Sequence, residues 1–599
     1  MTFVRSPDPL GSYPVRVTDR LEIWAERAPD RTFLAQRNPT GDWRQITYAE
    51  TWQRVRRIAG GLLGSGLSPE RPLMILSANS IEHALLALAA MYVGIPYAPI
   101  APAYSLAVKE FTTLSQVWQN LQPGMVFVND GKLFAPALSQ VMREKIPVIH
   151  ARREVPGAGS VSLEELEKEL PSKAVEEAHQ RVDADSIAKI LYTSGSTGLP
   201  KGVITSHRML CSNQQMLVQM MPCLGENPPV LCDWLPWNHT FGGSHNFGIV
   251  LYNGGTLYID GGKPTAELFD ETVRNLQEIA PTAYFNVPKG YEMLLRFLRQ
   301  DRNLRSRFFS RLSLLFFAAA GLSQHVLDEF QNVVFDHCGE EILVVTGLGA
   351  TETAPFAIST GAEGSASGHI GLPVPGVELK LVPCGERTEA RVRGPSITPG
   401  FWRRTDLTAT AFDEEKFYCM GDAVKFADPD DLPKGLLFDG RLNEDFKLSS
   451  GTWVRVGSLR MRLLAHFGNL LQDVVVAGPD RDYVAAMLFP SLEACRKLCD
   501  NLPDSAKASD VLSQVQVRAT YESLLNAYGR IHASNSTRIE RAVLVDVPLS
   551  LETQEITDKG SINYGTVLKN RAAQVEDLYR EPAPVSVLVA EKLPSGIQP

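Results

Sequence analysis

Tyr192-Thr-Ser-Gly-Ser-Thr-Gly-Leu-Pro-Lys-Gly202 concentrates more phosphate-binding chemistry than any other run in this chain. The preceding Ile187-Ala-Lys-Ile-Leu-Tyr192 has the length and apolar, β-compatible content of a buried strand. Hydroxyls follow at Thr193, Ser194, Ser196 and Thr197, with glycines at Gly195, Gly198 and Gly202. Glycine has no Cβ to hold a phosphate oxygen away from backbone N–H groups, and positive φ costs it nothing. Lys201 adds one point charge. The Walker spacing G-x-x-x-x-G-K-[ST] needs Gly before the lysine and a hydroxyl after it. Here Pro200 precedes Lys201 and Gly202 follows, so the loop is of another type. A Ser/Gly-rich surface turn would account for the small residues. It would not account for a buried strand feeding hydroxyls, glycines and a lysine together.

The composition bounds what such a loop can serve. At 599 residues the chain is too long for one core, so at least two domains are expected, and 44% hydrophobic residues is ordinary for a globular protein. A net charge of −9 without a long basic run tells against nucleic acid as partner. The eight cysteines form no CxxC pair, which suggests reduced thiols in a cytoplasmic protein rather than a disulfide scaffold or zinc site. Met1-Thr-Phe-Val-Arg-Ser-Pro has neither the apolar core nor the cleavage site of a secretory signal. The longest apolar tract, Ala84 to Ile100, contains Gly94 and Pro96 and reads as a buried helix followed by a strand, not a membrane span. Asn79 or Ser80 would cap that helix.

Strand and helix patterns alternate through most of the chain, which is α/β texture. Helices are expected at Thr18 to Ala28 and Tyr48 to Leu63. Strands are expected at Thr32 to Ala35, Pro72 to Leu76, Met125 to Val128, Pro147 to Ile149, Thr256 to Ile259, Ala283 to Val287 and Leu314 to Ala320. The charged stretch 164–183 reads as a solvated helix and linker. After about residue 380, Glu378 to Val382 and Glu389 to Arg393 suggest a β-rich subdomain. A boundary near Gly440 divides domain 1–440 from domain 441–599, which ends in a loose Pro-rich tail from Glu581.

The 192–202 loop resembles the phosphate-loop signature of the adenylate-forming enzymes: acyl-CoA synthetases, luciferases and the adenylation domains of peptide synthetases. Four further stretches resemble that family's signatures. In Leu348-Gly-Ala-Thr-Glu352, the resemblance implies that Thr351 contacts the α-phosphate and Glu352 ligates Mg²⁺, with Leu348 standing where an aromatic often stacks on adenine. Phe317-Ala-Ala-Ala-Gly-Leu322 resembles the small-residue segment along the adenine plane, with Ala319 and Ala320 among the nucleotide contacts. Tyr418-Cys-Met-Gly-Asp422 implies that Asp422 accepts from the ribose hydroxyls, with Arg441 a second ribose contact. Thr557-Asp-Lys559-Gly resembles the final signature, which makes Lys559 the lysine that meets the carboxylate and α-phosphate. Asn443 falls at the family's hinge, and Lys447-Leu-Ser-Ser-Gly451 resembles the loop after it.

The resemblance reaches a subgroup. Ser12 to Leu21, Asn238-His-Thr-Phe-Gly-Gly-Ser-His-Asn-Phe247 and Gly435 to Trp453 look like bacterial feruloyl-CoA synthetases. The implied fold is a large N-terminal domain of α/β layers plus a distorted β-barrel, with a small mobile α+β C-terminal domain. The implied reaction is ATP-dependent activation of a carboxylic acid as acyl-AMP, then transfer to coenzyme A. In Trp234-Leu-Pro-Trp-Asn-His239, the histidine would position the acid's carboxylate. By family position the acyl pocket is walled by His239, Phe241, His245, Phe316, Ala319, Gly347, Pro355 and Phe356. It has no acidic side chain to meet an α-ammonium. A phenol at its floor would need one polar partner, for which His245 is the candidate. The alternatives are a ligase for another aromatic or medium-chain acid, adenylation for a carrier protein, and a non-catalytic nucleotide- or acyl-binding homologue.

Overall fold

The computed structural model describes residues 2–591 apart from 109, 195–199, 266, 323, 362–365, 500, 501, 504, 551, 552, 554 and 557–561; of Ser194 only the backbone is described. The chain separates into two compact units. The first is residues 1–383, 390–420 and 426–437; the second is 384–389, 421–425 and 438–599.

Three sheets with flanking helices build the first unit, a mixed α/β fold. In the seven-stranded sheet the order is Pro200–Ser206, Ile187–Ser194, Tyr97–Ile100, Leu73–Leu76, Met125–Asp130, Val148–Arg152, Val161–Ser162. All neighbours are parallel except the first pair. Its inner strands Leu73–Leu76 and Tyr97–Ile100 are buried at every position, as strands covered on both faces must be. Helix Ile81–Tyr92 is equally apolar all round, and only Glu82 escapes burial. Trimming Leu85 there to Ala would cost about 2–5 kcal/mol.

Ser80 caps this helix by accepting from His83 N–H. Asn79, the other candidate, has different work. Its Nδ2 donates to Leu235 O and its Oδ1 accepts from Trp237 N–H, both at 2.9 Å, which fastens the segment leading into His239.

A four-stranded sheet runs Val230–Asp233, Thr256–Ile259, Thr32–Arg37, Trp43–Thr47. In the ten-stranded sheet, the parallel strands Ala283–Asn286, Leu314–Phe317 and Leu343–Leu348 continue antiparallel into Ile358–Ser359 and His369–Pro373. The β-rich strands after residue 369 join this sheet, and no closed barrel forms among the described residues.

The second unit has a four-stranded sheet, Leu471–Ala477, Val484–Pro490, Ile539–Leu544 and Val587–Val589, with helices Val456–Phe467 and Val515–Ile531 sharing its core. Two expectations change. The stretch expected as a loose tail from Glu581 contributes the edge strand Val587–Val589, because Val587 and Leu588 bury their side chains against the sheet. The stretch expected as a solvated helix and linker forms Leu163–Leu166 and Lys173–Arg181, and the latter buries Val175, Ala178 and His179. Among the described residues no helix is long and apolar enough to cross a membrane.

Candidate functional site

The phosphate-loop run opens as an antiparallel pair. Lys201 faces Thr193 across the register, and Gly202 faces Tyr192. Gly195, Ser196, Thr197 and Gly198 lie outside the described residues. Thr193 Oγ1 is buried without a hydrogen-bond partner among the described residues. Lys201 Nζ lies 2.8 Å from Glu352 Oε1 and 4.2 Å from the centroid of the Phe401 ring. One segment braces both partners: Trp402 N–H donates to Gly202 O at 2.7 Å, and Thr398 N–H donates to Glu352 O at 2.8 Å.

Glu352 sits in a one-turn 3₁₀ helix, Thr351–Thr353, that follows the strand ending at Leu348. The turn is tight. A Cβ on Gly349 would stand 1.4 Å from Pro355 O, so no other residue fits there. Leu348 pairs with Ile358, and Gly347 with Ser359. Ala319, beyond the strand Leu314–Phe317, has φ of +74°, a conformation that favours glycine. Ala319 and Ala320 are exposed. No cluster of three or more His, Cys, Asp or Glu among the described residues could hold a metal. A single buried carboxylate, Glu352 beside Lys201, still suits Mg²⁺, which is commonly held by one or two carboxylates plus substrate phosphates.

Of the residues expected to wall the acyl pocket, Phe241 and His245 lie in a π turn, Phe241–Asn246, that runs on into helix Phe247–Asn253, and Phe316 and Phe356 pack against His245. Such wide turns recur at functional sites. A Cβ on Gly243 would stand 2.2 Å from Trp237 O, which is how the turn packs so closely on the segment before it. His239 lies half-buried just ahead, its carbonyl accepting from Gly243 N–H. His245 is 1% exposed and ringed by Phe241, Phe285, Phe316 and Phe356 at 5.1–6.2 Å between centroids. Gly347 adjoins Phe356, where its Cβ would be 3.5 Å from the ring. Burial pushes the imidazole down to about 4. Nδ1 meets Asn246 Oδ1 at 2.8 Å, while Nε2 is buried with no partner among the described residues.

Neighbouring residues of helix His207–Met220 hold the two halves. Asn213 Nδ2 donates to Phe356 O at 2.8 Å, and Gln214 Nε2 donates to Ser244 O at 2.9 Å. Lys189, fully buried within the strand Ile187–Ser194, donates to Gly243 O at 2.8 Å, and burial lowers it to about 7.

In the second unit Arg441 Nε lies 3.4 Å from Asp422 Oδ1; the carboxylate is buried and the guanidinium exposed. Asn443 is an exposed residue of the turn that follows Arg441. Lys559 lies outside the described residues.

Phe285, Asp233, Asn246, Lys189 and Phe401 belong to these surroundings and escape sequence reasoning. Lys189 and Asp233 did carry a signal: each is a charge inside an apolar strand, where burial demands a partner.

Residues 21–402, well over half of the chain, match the family model of the AMP-binding enzymes. The chain belongs to that family. It is 26% identical over 535 residues to a carboxylic acid reductase of Mycobacterium marinum, covering 78% of this chain. It spans only 42% of that reductase's length, and 40% of the Mycobacterium tuberculosis one. Peroxisomal OPC-8:0-CoA ligase 1 of Arabidopsis thaliana is also 26% identical, over 78% of this chain and 83% of the ligase. In fold, the chain is similar to a benzoate CoA ligase from Burkholderia xenovorans, with a TM-score of 0.71 at 20% identity over 92% of this chain and all of the ligase. An anthranilate CoA ligase solved with anthranoyl-AMP gives 0.71 at 19% identity over 94% and 98%.

Proposed function

We propose that the chain is an ATP- and coenzyme A-dependent acid–thiol ligase whose acid is a 4-hydroxycinnamate such as ferulate. The carboxylate oxygen attacks the α-phosphorus of ATP and pyrophosphate leaves; the thiolate of coenzyme A then attacks the acyl carbonyl and AMP leaves. Lys201 and the 193–198 loop hold phosphate oxygens, Thr351 meets the α-phosphate, and Asp422 and Arg441 hold the ribose. Lys559 offsets the charge that develops at the reacting carboxylate and phosphate. Glu352 is the residue fitted to hold Mg²⁺, which when bound offsets phosphate charge. His239 orients the carboxylate. CoA ligase relatives matched over most of their length support the thiol acceptor.

The observation that carries the acid is His245 Nε2, a polar atom buried without a partner among the described residues, on a side chain ringed by phenylalanines. An apolar slot with one unsatisfied polar atom suits a flat ring bearing one polar group. The test compares ferulate and 4-coumarate with cinnamate. A site built to bond a hydroxyl rejects the analogue lacking it by about 10⁴-fold or more. His245→Ala should narrow the gap by harming the phenols. Equal use of cinnamate and ferulate, or a preference for octanoate, rejects the hydroxycinnamate reading.

A second reading, loading of a carrier protein's thiol, draws on the carboxylic acid reductase relatives. Coenzyme A and a phosphopantetheinylated carrier offered as competing acceptors separate the two.

A further inference from the structure

His245 Nε2, buried without a partner among the described residues, is one end of a buried relay. Asn246 Nδ2 donates to Asp233 Oδ2 at 3.0 Å, and Asn246 Oδ1 lies 2.8 Å from His245 Nδ1. His245, Asn246 and Asp233 are 1%, 0% and 4% exposed. Asp233 Oδ1 accepts from Leu235 N–H at 3.0 Å, so both carboxylate oxygens are engaged.

Each link leaves the next no choice. Once ionised, the Asp233 carboxylate only accepts, so Asn246 turns its amide nitrogen toward Asp233 and its oxygen toward His245. That oxygen also only accepts, so His245 Nδ1 must carry the ring proton. The buried ring is neutral and has one proton to place, so Nε2 is a bare acceptor. It is the same atom that is buried without a partner among the described residues, in a ring whose centroid lies 5.1 Å from that of Phe316.

We infer that Asp233 and Asn246 are positioning residues that hold His245 as its Nδ1–H tautomer, so that the pocket selects acids carrying a hydrogen-bond donor at the para position. The choice of acid rests on the hydroxycinnamate reading; the tautomer does not. Ferulate and isoferulate contain the same atoms with hydroxyl and methoxy exchanged. Only ferulate places a donor at the para carbon, since an ether oxygen has no proton to give. The amine of 4-aminocinnamate donates as a phenol does, so this acid is accepted.

Asp233→Asn reverses the relay with almost no change of shape. Leu235 N–H keeps the new side chain's oxygen on its own side, so its nitrogen faces Asn246. Asn246 must then present its oxygen there and its nitrogen to His245 Nδ1. The ring proton moves to Nε2, which becomes a donor that a methoxy oxygen can accept from.

The experiment is ¹⁵N spectroscopy of the histidine rings, with His245 assigned by its loss in His245→Gln, together with kcat/KM for the acids. Burial raises the Asp233 carboxyl to about 7, so alkaline buffer is used. The expected result is a protonated Nδ1 and bare Nε2 in the wild type, and the reverse in Asp233→Asn. Ferulate should exceed isoferulate by about 100-fold or more, with that ratio falling about tenfold or more in the variant. A protonated Nε2 in the wild type overturns the relay, whether or not any variant folds. An unchanged ratio in a folded Asp233→Asn whose proton has moved overturns the link to selectivity. A bare Nε2 in an enzyme that turns over no hydroxycinnamate overturns the substrate clause and leaves the relay standing.

Discussion

Lys201 Nζ and Glu352 Oε1 stand 2.8 Å apart, which joins the cation of the phosphate-loop strand to the carboxylate of the Gly-x-Thr-Glu turn. Each neutralises the other, and a polyphosphate with its metal would divide them: the anion to Lys201, the cation to Glu352. Glu352→Gln keeps the shape and removes the charge. Acid-dependent pyrophosphate release should fall about 100-fold or more, the usual cost of losing one charge-stabilising group. A loss within twofold across a magnesium series would remove Glu352 from the site.

Asn213 and Gln214 act on different halves of the site although they are adjacent in the chain. Gln214→Leu strips a donor from Ser244 O and should raise KM for the acid while sparing KM for ATP. Asn213→Leu strips a donor from Phe356 O and, alone of the two, one from Thr353 O, at 3.3 Å in the Glu352 turn, and should weaken ATP more than Gln214→Leu does. A buried acceptor left unpaired costs about 1–3 kcal/mol, about 5- to about 150-fold in the affected constant. Identical kinetic defects in the two variants would contradict this division.

Lys559→Ala should nearly abolish acyl-adenylate formation and spare thioester formation from supplied acyl-adenylate, because its charge is needed only where phosphate charge reorganises. Half-reaction assays read both steps. Equal loss in the two would sink the role.

Much of this was legible in the sequence because it is local. The strand Thr256–Ile259 lies where its residues predict it, and the buried helix and strand within Ala84 to Ile100 appear as Ile81–Tyr92 and Tyr97–Ile100. The Lys201 and Glu352 signatures meet as neighbours. What stayed hidden depends on tertiary contact. Asp233 and Asn246 are brought together by the strand end and the π turn, and a π turn has no periodicity to read. Lys189 finds its acceptor 54 residues away. The positive φ of Ala319 could not be foreseen, since alanine seldom adopts it.

Acid should weaken the first unit. Burial lowers His83 and His245 to about 4 and His207 to about 3, so each contributes stability that is full above about pH 6.5 and lost as pH falls toward those values. Asp233, raised to about 7, and Asp260, also raised, run the other way: their contribution is present in acid and lost as pH rises. His179 is lowered and Glu22 raised as well, so four histidines against three carboxyls leave net proton uptake on unfolding, and about 1.4 kcal/mol per pH unit for each net proton. Denaturant unfolding at about pH 5 and about pH 6.5 should show the lower stability in acid. Equal stability at both would contradict the burial of these rings as neutral groups.

The most direct test of the account is thioester formation by the purified chain with ATP, magnesium, coenzyme A and a panel of acids: ferulate, 4-coumarate, cinnamate, benzoate, octanoate and an amino acid. The account predicts acyl-CoA with stoichiometric AMP and pyrophosphate, dependent on all components, and fastest with ferulate and 4-coumarate. Acid-dependent pyrophosphate release with no thioester from any acid would contradict the ligase assignment, and a fastest rate with octanoate or the amino acid would contradict the pocket.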